Sequence, residues 1–158
     1  MQQRLSCSKV APAGVEILQK LGRHLGHCGL GADRLELMKL RASQINSCAY
    51  CIDMHTEDAP GQGESEPRPP AVSARHEAPF CSERERASLA WTEAVTPAGK
   101  DHLPDQVCEQ APHFTQKELV DLTLAIIASN SRDRPAIRSG RPAGSCQPDH
   151  PIAKGIPG

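Results

Sequence analysis

The sequence predicts an all-α domain, and three observations carry that prediction. Apolar residues recur at helical spacing, two segments open on Ser/Thr-x-x-Glu capping boxes, and no run alternates apolar with polar residues long enough to make a strand. Val15, Leu18, Leu21 and Leu25 mark a first helix near 13–27; Leu35, Met38, Ala42 and Ile45 mark a second near 32–45. A third opens at Asn46 or Ser47, both good caps, and runs through His55 until Pro60 stops it. Residues 60–80, rich in Pro, Gly, Ser and charge, read as a long irregular stretch. Ser82 to Glu85 then forms a capping box, and the helix behind it presents Ala87, Leu89, Ala90, Trp91, Ala94 and Val95 before Pro97. A short helix follows from Pro104 or Asp105 to Ala111, with Pro104 at the first helical position, where its missing N–H costs little. A second capping box, Thr115 to Glu118, opens the most apolar segment, Leu119 to Ile127. That segment is apolar almost all round and is expected to be the buried central helix. One domain is therefore expected over 1–135, with Pro135 ending the order and 136–158 a disordered tail.

Composition narrows the function classes. The chain has 158 residues, 38% of them hydrophobic, with fourteen prolines and only four aromatic residues. Five prolines lie between Pro60 and Pro79 and five between Pro135 and Pro157, so the core falls to residues 10–58 and 81–130. No apolar run approaches the roughly 18 residues of a membrane span. Met1 to Ala13 lacks a basic region followed by an apolar stretch, so no secretory signal is expected. A net charge of −1 with scattered Lys and Arg argues against a nucleic-acid partner. Seven cysteines is an odd count for a disulfide framework, which points to the reducing cytoplasm and to thiols kept for chemistry.

One constellation carries that chemistry. Cys48, Cys51 and His55 stand at i, i+3 and i+7, a single stripe on a helix. Both thiols fall in the first turns, where the free N–H groups favour thiolate. A dithiol at this spacing can close a disulfide, so a sulfenic acid on one sulfur has a resolving partner beside it. His55 is one turn beyond Cys51 and can take or relay its proton. Glu36, on the preceding helix, can fix the imidazole tautomer if the two helices pack as a pair. Zinc held by Cys48, Cys51 and His55 is an alternative, but a second ligand pair at zinc-ribbon spacing is absent. Cys7, Cys28, Cys81, Cys108 and Cys146 read as structural or incidental.

The segment Leu40 to His55, with Arg41, Ser43, Gln44, Ile45, Asn46, Cys48, Tyr50, Cys51 and His55, resembles the R-x-S-Q-I-N-G-C-x-Y-C-x-x-x-H signature of the alkylhydroperoxidase D-like (AhpD-like) branch of the carboxymuconolactone decarboxylase family. Phe80 to Thr96 and Phe114 to Thr123 resemble that family's next two helices, and the likeness runs collinearly over residues 4–138. The resemblance implies an all-α fold, trimers or hexamers, and thiol peroxidase activity on a hydroperoxide substrate without metal or other cofactor. By position it makes Cys51 the peroxidatic thiol, Cys48 the resolving thiol, and His55 with Glu36 the proton relay. It also implies an external dithiol reductant, such as a lipoyl-bearing protein.

The chain departs from that pattern at Ser47, where glycine is usual, at 60–79, where a further helix is usual, and at Ser131 to Pro135, where the last helix usually carries an aromatic. Two other functions follow from these departures and from the family's breadth. One is a catalytically weak binding or structural module; the other is a decarboxylase acting on a lactone, chemistry that does not need the dithiol.

Overall fold

The computed structural model describes residues 2–58, 72, 81–97, 99, 102–109 and 111–145. The helices are α1 (Cys7–Val10), α2 (Pro12–Gly26), α3 (Ala32–Ile45), α4 (Ala49–Asp58), α5 (Glu83–Val95), α6 (Asp105–Cys108) and α7 (Gln116–Ser139), with a 3-10 turn at Ala111–His113. No strand occurs among the described residues.

Local chemistry sets most helix starts. Pro12 opens α2 in its first turn, where the backbone needs no N–H donor. Ser82 and Thr115 cap α5 and α7, each accepting from the N–H three residues on while Glu85 and Glu118 reach back to the cap. α6 is shorter than expected, and Pro104 caps it instead of forming its first turn.

α3 is the central element, packing on α4, α5 and α7. The main core joins Leu25, Leu30, Leu35, Met38, Ala87, Leu122 and Ile126, with Phe114 at one end. Each large side chain here contributes about 1.5–3 kcal/mol on burial, more than a typical cap. Trp91 ties α5 to α7 by donating its indole N–H to Thr123 Oγ1 at 3.0 Å. A separate small cluster holds Cys48, Tyr50, Cys51 and Met54 against Ala136.

Two expectations for α7 need correcting. The helix does not end at Pro135 but runs through it to Ser139. Its stop signal is Gly140, at φ 67°, with Gly140 N–H bonded to Ile137 O and Arg141 N–H to Ala136 O, both at 3.1 Å. An interior proline costs about 3 kcal/mol, but the turns around it are anchored. Asp133 is buried and bonded to Ser43 and Asn46 of α3 and its cap, and Arg4 N–H donates to Ser139 O at 2.7 Å. Residues 136–145 are therefore ordered structure, whereas 146–158 lie outside the described residues. Nor is α7 buried all round, since Val120, Leu124 and Ile127 are 58%, 36% and 45% exposed. The expected irregular stretch 60–80 also lies outside the described residues, apart from Val72, which is fully buried against Leu40, Cys81 and Leu89.

Candidate active site

The site is built by the turn that joins α3 to α4. Cys48 N–H bonds to Ser43 O at 3.0 Å, and Ser47 N–H to Gln44 O at 3.1 Å. This is the paired closure that also ends α7, and it requires a left-handed residue at its turning point. At Gly140 that residue is glycine; here it is Ser47, with φ 57°. The glycine usual at this position in the resembled family has its reason in that backbone angle. Ser47 is thus a turning residue and not the expected helix cap. Cys48 opens α4 instead, its carbonyl accepting from Ile52 N–H at 2.9 Å.

That placement sets both sulfurs at the N-terminal end of α4, and Cys48 and Cys51 are joined as a disulfide with Cα atoms 5.3 Å apart. They are 1% and 4% exposed. One turn further, the buried His55 has its Nδ1 2.9 Å from Glu36 Oε2 on α3. The other oxygen of Glu36 accepts from Lys39 Nζ at 2.7 Å. Burial acts to raise the Glu36 carboxyl, but the His55 hydrogen bond and the Lys39 charge outweigh it and hold it down at about 2. The four residues expected at the site are therefore brought together, with Lys39 added. Lys39 was legible as an i+3 partner of Glu36.

Asp133 had no such signal. Its carboxylate comes within 4.8 Å of both sulfurs, although it lies eighty or more residues along the chain. It is 1% exposed and accepts from Asn46 Nδ2 at 2.7 Å and Ser43 Oγ at 3.3 Å. Burial pushes its carboxyl above the ordinary value, against the opposing pull of those bonds and of the His55 and Arg132 charges. Among the described residues, the group of potential metal-ligating atoms that converge is Cys48, Cys51 and Asp133, and not the Cys48, Cys51 and His55 set of the zinc alternative. His55 turns its Nδ1 to Glu36.

A cavity of about 350 Å³ opens beside the disulfide, bounded by the N-terminal segment with α1 and by α2, α4 and α7. Cys51, His55 and Asp133 line it, and Cys48 does not. Val15, Leu18 and Met54 supply apolar wall. Arg141 completes the rim, its guanidinium 4.0 Å from the centre of the Tyr50 ring.

Among the described residues the scaffold is all-helical, with the Cys48–Cys51 pair at one helix start beside the buried His55–Glu36 pair. The model of the carboxymuconolactone decarboxylase family matches residues 12–94, a little over half of the chain, and the chain belongs to that family, in its AhpD-like branch. The uncharacterized protein YdfG of Bacillus subtilis (strain 168) is 36% identical over 146 residues, covering 92% of this chain and 99% of that protein. The crystal structure of ATU0492 from Agrobacterium tumefaciens superposes with a TM-score of 0.84 at 34% identity, covering 89% of this chain and 97% of that one. ATU0492 is a protein of unknown function provisionally assigned as the antioxidant defence protein AhpD.

Proposed function

We propose that the protein is a thiol-dependent peroxidase that reduces organic hydroperoxides by cycling Cys48 and Cys51 between dithiol and disulfide. The observation that carries this reading is the asymmetry of the pair: Cys51 borders the cavity together with His55, while Cys48 is enclosed behind it. A substrate in the cavity meets one sulfur, and the other waits at bonding distance. The antioxidant assignment given to ATU0492 is consistent with this chemistry.

In the reduced enzyme the Cys51 thiolate, favoured by the N-terminal field of α4, attacks the terminal oxygen of ROOH. The O–O bond breaks, Cys51 becomes sulfenic acid, and RO⁻ leaves as the alcohol with a proton delivered by His55. Glu36, hydrogen-bonded to Nδ1, holds the imidazole in place. The Cys48 sulfur then attacks the Cys51 sulfur, water departs, and the disulfide forms. An external dithiol, such as a lipoyl-bearing protein, attacks the disulfide and restores both thiols while becoming oxidised itself. The two protons of the restored Cys48 and Cys51 thiols come from the external dithiol. The cycle needs no metal or flavin and suits a reducing compartment such as the cytoplasm. Self-association through the exposed face of α7 completes the reading.

Turnover of cumene hydroperoxide with dithiothreitol as reductant tests it. Wild type should consume peroxide well above background, and Cys51→Ser should abolish turnover. Cys48→Ser should oxidise once and stop, leaving a sulfenic acid that dimedone labels at Cys51. Equal rates for wild type and Cys51→Ser would show the reading to be wrong.

A further inference from the structure

Among the polar groups on the cavity wall that the peroxidase cycle does not use, two have no hydrogen-bond partner among the described residues. Arg132 lines the cavity from α7 and is half-buried, and among the described residues its guanidinium makes no hydrogen bond and no ion pair. Desolvation lowers its pKa, with Glu36 and Asp133 acting on it only at a distance beyond an ion pair. Ser129, one turn earlier on the same helix face and 5% exposed, has a buried hydroxyl with no hydrogen-bond partner. It lines the same cavity.

Both observations are costly for the protein alone. An unpaired buried hydroxyl costs about 1–3 kcal/mol, and a partly desolvated guanidinium with no anion beside it is unfavourable as well. Asp133, the acidic group on the wall, makes no hydrogen bond or ion pair with Arg132 and accepts instead from Asn46 and Ser43. Arg141 adds a second cation at the rim. The rest of the wall mixes hydroxyls and amides with an apolar side formed by Val15, Leu18 and Met54, so the cavity offers a cationic, hydrogen-bond-donating spot with apolar surface in the same space. A guanidinium and a hydroxyl on one helix face match the two oxygens of a carboxylate.

We propose that this cavity binds an aliphatic carboxylate, with the carboxyl group held by Arg132 and Ser129 and the alkyl chain on the apolar wall. Resting on the peroxidase reading, this names the substrate class: a hydroperoxide of an aliphatic carboxylic acid, reduced to the hydroxy acid with the carboxylate unchanged. The same carboxylate chemistry is available from a reductant, as in free dihydrolipoate.

Calorimetric titration with octanoate tests the site without any turnover. Saturable binding is expected, at least tenfold weaker in Arg132→Gln and partly restored in Arg132→Lys, with helical content by circular dichroism unchanged in both. No binding to wild type, or equal binding to Arg132→Gln, would overturn the inference. Kinetics then separate the sources. A fatty-acid hydroperoxide should beat its methyl ester at least tenfold in kcat/KM, and this ratio should fall toward one in Arg132→Gln. A preference confined to dihydrolipoate over dihydrolipoamide would keep the carboxylate site but assign it to the reductant. If tert-butyl hydroperoxide is turned over and octanoate does not bind, the carboxylate site fails and the peroxidase stands. Arg132-dependent octanoate binding without turnover of any hydroperoxide gives the reverse result.

Discussion

Glu36 and Asp133 are two carboxyls within one site whose environments push them in opposite directions, and each has its own signature in pH. Glu36 is held below its ordinary value, so the unfolded chain takes up its proton first as the pH falls. Its stabilisation is whole above about pH 4.5 and is lost as the pH drops toward about 2. A shift of that size corresponds to about 3 kcal/mol. Urea melts across this window should show Glu36→Gln less stable at neutral pH and flatter between pH 4.5 and 2; parallel wild-type and mutant curves would refute the linkage. Asp133 has the opposite sign. Its carboxyl is raised, so its contribution falls as the pH rises above the ordinary 3.8. Asp133→Asn keeps an acceptor for Asn46 and removes the buried charge, and it is expected to be at least as stable as wild type at pH 7. A loss of more than about 2 kcal/mol there would mean the ionised form is what holds α7 to α3.

Among the elements, the same helix-ending closure occurs twice, once with glycine and once with serine, which makes a paired prediction. Left-handed backbone costs a non-glycine residue about 1–2 kcal/mol, so Ser47→Gly should stabilise by about 1 kcal/mol and Gly140→Ala should destabilise by a similar amount. Thermal melts of the two variants moving in the same direction would contradict the shared geometry. This turn also shows what was legible in the sequence. Both capping boxes were, because their hydrogen bonds lie within four residues. Ser47 as a cap was a fair local reading, but the backbone beyond α3 had already turned left-handed, which no side chain announces. Pro135 misled for a different reason. Its local penalty is real, but the contacts that outweigh it, from Asp133 to Ser43 and Asn46, span nearly ninety residues and depend on how α7 packs across α3. The dithiol and its relay were readable because i, i+3 and i+7 is a helix rule. Asp133 and Arg132 reach the site only through tertiary packing.

At the scale of the whole molecule, the unfinished part is the outer face of α7. Val120, Leu124 and Ile127 are spaced at i, i+4 and i+7, so they form one narrow apolar stripe, and all three are exposed. A helix that buries Leu122, Ala125 and Ile126 on one side would ordinarily be charged on the other. Isolated exposed apolar residues need no explanation, but a stripe along a long helix is the pattern of a subunit contact. The net charge of −1 leaves little electrostatic repulsion to oppose association. The stripe and the catalytic cavity draw on different α7 residues, so association and chemistry should be separable by mutation. Sedimentation velocity should show wild type well above the 17.0 kDa of one chain. Leu124→Glu should shift it to a monomer with unchanged helicity, because a carboxylate buried at an apolar contact costs several kcal/mol while the same group in water costs nothing. Peroxide turnover per chain should survive that shift, since none of the cavity-lining residues lies in the stripe. A wild-type monomer would remove the stripe from the assembly account, and a Leu124→Glu variant that stays associated would place the contact on another face.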